Sequence, residues 1–338
     1  MGSISSPLVL VTLLLLAHQV CFNSAQQLGV NYGMVGDNLP SPQDVISLFK
    51  SNNIGSIRLF EPKPEVLEAL RNSDILVSLG MRNEDITSIA SSQDAANSWV
   101  NTNVAPYKDE VTFRYVTIGN EVIPGPFAKD VAMAMNHISN ALIAIGQVGA
   151  EVTTVVPATV LGTSFPPSAG AFSAEALGPM TDIATVLQQT QRPLMINVYP
   201  YFALASNPDQ ISLDYALFQS QQPIVTDGPL NYNNLFDAIV DAFNAALEKI
   251  NLADVLVGVS ETGWPTAGNE PYTTISNAQT YNTNLKKHVA EAGTPRRPNV
   301  RMDLFIFAMF NENQKNGGAV EQNFGLFYPN MQPVYPLF

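Results

Sequence analysis

The sequence predicts a single closed (β/α)8 barrel of the TIM class, and three observations carry that prediction. Eight short apolar, β-branched runs recur along the 338 residues. The stretches between them carry helical 3.6-residue patterning, and alternation of strand and helix implies parallel strands. No linker rich in Pro, Gly or Ser divides the chain, so all eight units belong to one domain.

Taken in order, LGVNYG (28–33) is the first strand, and SPQDVISLFKS after it reads as an amphipathic helix opened by Ser and Pro. SIRLF (56–60) and DILVSLG (74–80) are the second and third. YVTIGNE (115–121) is the fourth, followed by the helical AKDVAMAMNHISNALIAIG. EVTTVVPA (151–158), PLMINVYP (193–200), VLVGVSETG (255–263) and MDLFIFAMF (302–310) complete the set. These runs are apolar on both faces, as strands covered by helices must be. A long connection follows the sixth strand. Insertions after a barrel strand sit on the C-terminal face, where barrel enzymes keep their active sites.

Charged residues are only 13% and hydrophobic residues 46%, which is a folded composition. The formal net charge of −13 argues against nucleic acid and anionic membrane surfaces as partners. Residues 8–17 (LVLVTLLLLA) form an apolar run of signal-peptide length, too short to span a bilayer. Cleavage is expected after Ala25, which makes 1–25 a secretory signal and 26–338 the mature barrel domain. Cys21 is the only cysteine and falls in that segment, so stability must come from the core and not from disulfides. No Asn-x-Ser/Thr sequon is present, and the C-terminal PVYPLF lacks a GPI-type tail. These features predict a secreted, extracellular protein, and nothing in the sequence suggests more than a monomer.

Two of the apolar strands end on a carboxylate. VTIGNEV stops at Glu121 on the fourth, and VLVGVSETG reaches Glu261 on the seventh. Burying an unpaired carboxylate costs several kcal/mol or neutralises it, so such positions require a reason. In a closed barrel the strand ends ring a common mouth, and both side chains can point into it. Two facing carboxylates are the equipment of glycoside hydrolysis: one protonated to donate to the leaving oxygen, the other ionised.

Rival chemistries do poorly. GVSET around Ser260 departs from the G-x-S-x-G elbow at Thr262. The mature chain holds only His137 and His288, both in helical stretches where packing or surface roles are expected. HExxH, GxGxxG and the P-loop are absent, so no metal and no cofactor is expected. Aromatic residues gather at the same strand ends: Tyr32, Tyr199, Tyr201, Phe202, Trp264 and Phe310. Flat apolar rings suit the C–H faces of pyranoses. Trp264 is expected to meet the ligand, whereas Phe310 serves either the ligand or the seal of the barrel top.

YVTIGNEV, GVSETGWPTAG, FAMFNENQKNGGAVEQNFGLFYP, GVNYGMVGDNLPSP, VLGTSFPPSAGAF and INVYPYFA together resemble the plant endo-1,3-β-glucosidases of glycoside hydrolase family 17. The likeness runs from residue 28 to 338. It implies a (β/α)8 barrel and a retaining hydrolysis of internal β-1,3 linkages in glucans such as callose or fungal wall glucan. It further implies Glu121 as proton donor, Glu261 as nucleophile, and Asn120 near the sugar 2-hydroxyl. Glu312, Lys315 and Glu321 match residues that line that family's active site. With Tyr32, Tyr199 and Phe202, Phe324 is expected to wall an open cleft, and the carboxyl groups are expected about 5–5.5 Å apart.

There are departures. RLFEP (58–62) replaces the more usual Arg-x-Tyr-Asp-Pro, so Phe60 lacks a hydroxyl, and Asn31 stands where many members have cysteine. Neither the carbohydrate-binding module nor the vacuolar C-terminal extension of some relatives is recognisable. Two alternatives stay open: a mixed-linkage 1,3-1,4-β-glucanase, and a non-catalytic glucan-binding protein on the same scaffold.

Overall fold

The computed structural model describes residues 28–291 and 293–338. The expected signal segment and Cys21 lie outside the described residues. Eight parallel strands close into a barrel in chain order. They are β1 (Leu28–Asn31), β2 (Ser56–Leu59), β3 (Leu76–Met81), β4 (Thr112–Asn120), β5 (Glu151–Val156), β6 (Leu194–Asn197), β7 (Val257–Thr262) and β8 (Leu304–Ile306). All eight fall on the runs singled out above. No described helix is long and apolar enough to cross a membrane.

The helices begin where local chemistry tells them to. Ser41 caps Pro42–Ser51 by accepting from the Asp44 N–H, and Pro42 enters at the first turn, where its missing N–H costs nothing. Ser173 and Asn234 cap Ala174–Thr190 and Leu235–Lys249 in the same way. Leu235–Lys249 is buried over most of its surface, unlike an ordinary outer helix. Two antiparallel hairpins cover it, Leu161–Thr163 with Ala171–Phe172 and Val225–Asp227 with Leu230–Tyr232. Ser168 joins the hairpins through its N–H and hydroxyl to Asp227, at 2.6 and 2.7 Å.

Inside the barrel, Tyr115, Val155, Met195 and Phe305 form one packed layer. Below it, Arg114, Glu151, Arg192 and Asp303 close the N-terminal end with ion pairs, and the Tyr115 hydroxyl donates to Asp303 at 2.6 Å. This face therefore reads as stability, and the open end of the barrel is left for chemistry.

β2 and β3 approach so closely that only glycine fits at position 80. A β-carbon there would collide with the Phe60 carbonyl oxygen, which is backbone and cannot rotate aside. Gly80→Ala is expected to destabilise the fold by about 1–3 kcal/mol, the usual cost of overpacking. Denaturant unfolding measures it, and a variant as stable as the parent would refute the close approach.

Candidate active site

At the C-terminal end of the barrel lies a cleft of about 1070 Å³. Glu121 and Glu261 both line it, together with Asn120, Tyr32, Tyr199, Phe202, Phe324, Glu312, Lys315 and Glu321. Ten of the eleven site residues expected from sequence thus meet in one place.

Neither glutamate gets there by simple strand alternation. On β6, Met195 and Asn197 both face inward; on β7 their partners are Gly258 and Glu261, three residues apart instead of two. A β-bulge at Ser260 makes the difference. Without it Ser260 would point inward and Glu261 outward, toward the helices. On β4 a register shift between Thr117 and Asn120 brings Asn120 level with the interior Val155. Glu121 then takes a left-handed φ of 56°, uncommon for a residue with a β-carbon and worth about 1–3 kcal/mol of strain. Its N–H still reaches the Val155 carbonyl at 3.0 Å. Asn83 clamps the preceding residue: its Oδ1 accepts from the Asn120 N–H at 2.8 Å, and its Nδ2 donates to the Asn120 carbonyl at 3.1 Å.

The two carboxylates are held differently. Glu261 receives donors on both oxygens: Arg58 Nη1 on Oε1 and the Tyr199 hydroxyl on Oε2, each at 2.7 Å. Arg58 is buried and also donates to Asn31 Oδ1 at 2.9 Å and Asn120 Oδ1 at 2.8 Å. Its guanidinium lies 4.4 Å from the Phe60 ring centroid. Among the described residues, Glu121 receives only Asn197 Nδ2, on Oε1, at 2.8 Å.

Burial pushes the Glu121 carboxyl above the ordinary glutamate range, and the neighbouring Glu261 adds to this. Asn197, Arg58 and Lys315 oppose the shift without cancelling it. Burial also raises Glu312, against the pull of the Val35 N–H, which donates to Oε1 at 2.8 Å, and of Lys315. Tyr199 is held well above the usual phenol value by burial and by Glu261, so its hydroxyl stays a donor. Lys315 pairs with Glu321 at 3.2 Å and sits 3.9 Å from the Phe307 centroid.

The aromatic residues divide into three groups. Phe202 is 39% exposed and offers an open face, packed edge-on against Tyr199 at 5.4 Å. Tyr32 and Phe324 touch the cleft but, each 2% exposed, are buried in the core, which corrects the expectation that they wall it with open aromatic faces. Trp264 corrects its expectation: it is fully buried and does not line the cleft. Alternation resumed from Glu261 explains why. Thr262 faces the helix Ile275–Glu291 and bonds Tyr281 at 2.5 Å, and Gly263 turns in against Phe307 and Phe324. Trp264 therefore turns out, tilted against Tyr281, meeting Tyr201 edge to face, and donating its indole N–H to the Tyr272 carbonyl at 2.9 Å. Tyr201 and Phe310 are likewise packing residues.

His137 bonds the Ile89 carbonyl and His288 bonds Asp237, both remote from the cleft. Sequence reasoning missed Arg58, Asn83 and Asn197. For Asn197 a signal was present: Asn-x-Tyr at a strand end puts two polar side chains on one face.

The family described as glycosyl hydrolases family 17 matches residues 28–337. The chain is 47% identical to the "Probable glucan endo-1,3-beta-glucosidase BG4" of Arabidopsis thaliana, over 93% of this chain and 92% of that protein. It is 46% identical to Lichenase-2 of Hordeum vulgare, over 93% of this chain and 99% of that one. Among solved structures it superposes on CJP38, a beta-1,3-glucanase and allergen of Cryptomeria japonica pollen, with a TM-score of 0.89 at 46% identity, covering 92% and 98% of the two chains.

Proposed function

The chain belongs to glycosyl hydrolase family 17, and from that premise we propose that it hydrolyses internal β-1,3-glucosidic linkages with retention of configuration. Glu261 is the nucleophile and Glu121 the acid/base. The observation that carries this assignment is the asymmetry of their donors. A cation and a phenol address both oxygens of Glu261, the arrangement that suits a carboxylate, whereas Glu121 has one neutral donor and a raised affinity for its proton.

The reaction follows in two displacements. Glu261 attacks the anomeric carbon while the bond to the leaving 3-oxygen breaks, and Glu121 gives its proton to that oxygen. Water then attacks the same carbon, Glu121 takes a proton from it, and Glu261 leaves. Asn120, whose Oδ1 is committed to Arg58, keeps its amide N–H groups for the sugar 2-hydroxyl. Phe202 stacks on a pyranose face along the cleft. Glu312, Lys315 and Glu321 anchor the rim. Export by a signal segment at 1–25 would place the enzyme at the cell wall.

Reducing-sugar release from purified β-1,3-glucan and from mixed-linkage 1,3-1,4-β-glucan tests the substrate. Faster release from the first is expected; the reverse would favour the lichenase-like reading, which the 46% identity to Lichenase-2 keeps in view. No release from either would favour a glucan-binding protein. Because Glu121 must be protonated at the first step and its pKa is raised, activity should fall on the alkaline side above the usual glutamate range. The stability linkage has the same sign: a raised carboxyl binds its proton more tightly in the folded state, so this contribution is lost as pH rises through the folded value.

A further inference from the structure

Asn197 and Tyr199 stand two residues apart at the end of β6, yet each addresses a different carboxylate. Tyr199 donates to Glu261, and Asn197 donates to Glu121. Asn197 is also the β-partner of Glu261 across the bulge, so its backbone is set by the strand that carries the other glutamate. It is buried, and among the described residues no other side chain accepts its Nδ2–H. Its Oδ1 is buried without a hydrogen-bond partner among the described residues. The observed contact sets the amide N–H, not Oδ1, toward Glu121.

We infer that Asn197 is a positioning residue for Glu121: by occupying Oε1 it leaves Oε2 as the oxygen that delivers the proton to the scissile oxygen and takes it back from water. A carboxylic acid whose two oxygens are equivalent can hold its proton on either, and only one faces the substrate. A donor on Oε1 makes that oxygen the acceptor end and breaks the equivalence. The same donor serves the carboxylate form in the second step, so one contact supports both roles. The charged groups facing Glu121 are Glu261 from β7, Arg58 from β2 and Lys315 from the segment after β8. Among its neighbours Asn197 is the uncharged donor in direct contact.

The inference rests on the reading of Glu121 as the acid/base, and the experiment separates the two. Asn197→Asp keeps the shape of the side chain but replaces the N–H donor with oxygen; Asn197→Ala removes both. Each full-length variant is assayed across pH on β-1,3-glucan and on a dinitrophenyl glycoside of a β-1,3-linked glucose oligomer, whose leaving group needs little protonation. On glucan, kcat/KM should fall about 10–100-fold, a part of what general acid catalysis supplies. The loss on the activated glycoside should be much smaller. The alkaline limb should move to higher pH in both variants, because a donor that favours the ionised form is gone and, in Asn197→Asp, a like charge is added. Equal losses on the two substrates with an unmoved limb would overturn the inference and leave Asn197 a packing residue. Should Asn197→Ala fail to fold, the isosteric Asp variant still decides. Failure of the underlying reading shows elsewhere: Glu121→Gln would then keep hydrolysing glucan.

Discussion

Glu261→Ala is expected to lose about 10⁴–10⁶ of kcat on β-1,3-glucan, the range seen when a covalent nucleophile is deleted. No glycosyl-enzyme can form, and the vacated space lies between Arg58 and Tyr199, which now face no carboxylate. Added azide fits that space. With an activated aryl glycoside it should attack the anomeric carbon from the nucleophile's side and yield the inverted azide. Glu121→Gln gives the contrasting outcome. It still forms the glycosyl-enzyme from an activated glycoside, stalls at the second step, and is rescued by azide with retained configuration. The anomeric product, read by proton NMR, distinguishes the two. Exchanged outcomes would reverse the assignment. A wild type that releases no sugar, with both variants still binding glucan, would remove it.

The second large effect belongs to a residue that touches no bond being broken. Arg58→Met is expected to destabilise the fold by about 3–5 kcal/mol, since it leaves the buried Glu261 carboxylate without its cation. The unfolding midpoint should fall by roughly 5–8 °C. The same substitution frees Asn31 and Asn120, which share the guanidinium, so activity on glucan should drop as well. The double variant Arg58→Met/Glu261→Gln separates the causes. With the charge gone there is nothing left to compensate, and much of the lost stability should return while activity does not. If the double variant is no more stable than Arg58→Met alone, the ion pair is not what the arginine contributes. The sign is informative in either case, because replacing both members of a buried pair by neutral groups is often harmless, whereas removing one is not.

The proposed catalytic pair was legible in the sequence because it breaks a local rule. Glu121 and Glu261 end apolar strands, where a carboxylate is costly unless it has work to do. The partners that hold them were not legible. Arg58 lies 203 residues from Glu261, and Asn197 lies 76 residues from Glu121. Nothing local to either position requires the other; closure of the barrel brings them together. Asn83 likewise reads as an ordinary loop asparagine until its amide is seen spanning both backbone groups of Asn120.

The order of strands and helices, the barrel and the two carboxylates follow from the sequence alone, because hydrophobic period and strand-end chemistry are properties of short segments. Which way each strand-end residue points does not. That depends on register, and register is set by hydrogen bonds to the neighbouring strands, whose residues are far away in the chain. Simple alternation from Gly258 would have sent Ser260 into the barrel; the bulge sends Glu261 there instead. The same one-residue slip reverses the fate of Trp264. A tryptophan three positions after the inward glutamate has the odd parity that turns it to the helices, so a residue expected at the ligand became part of the core.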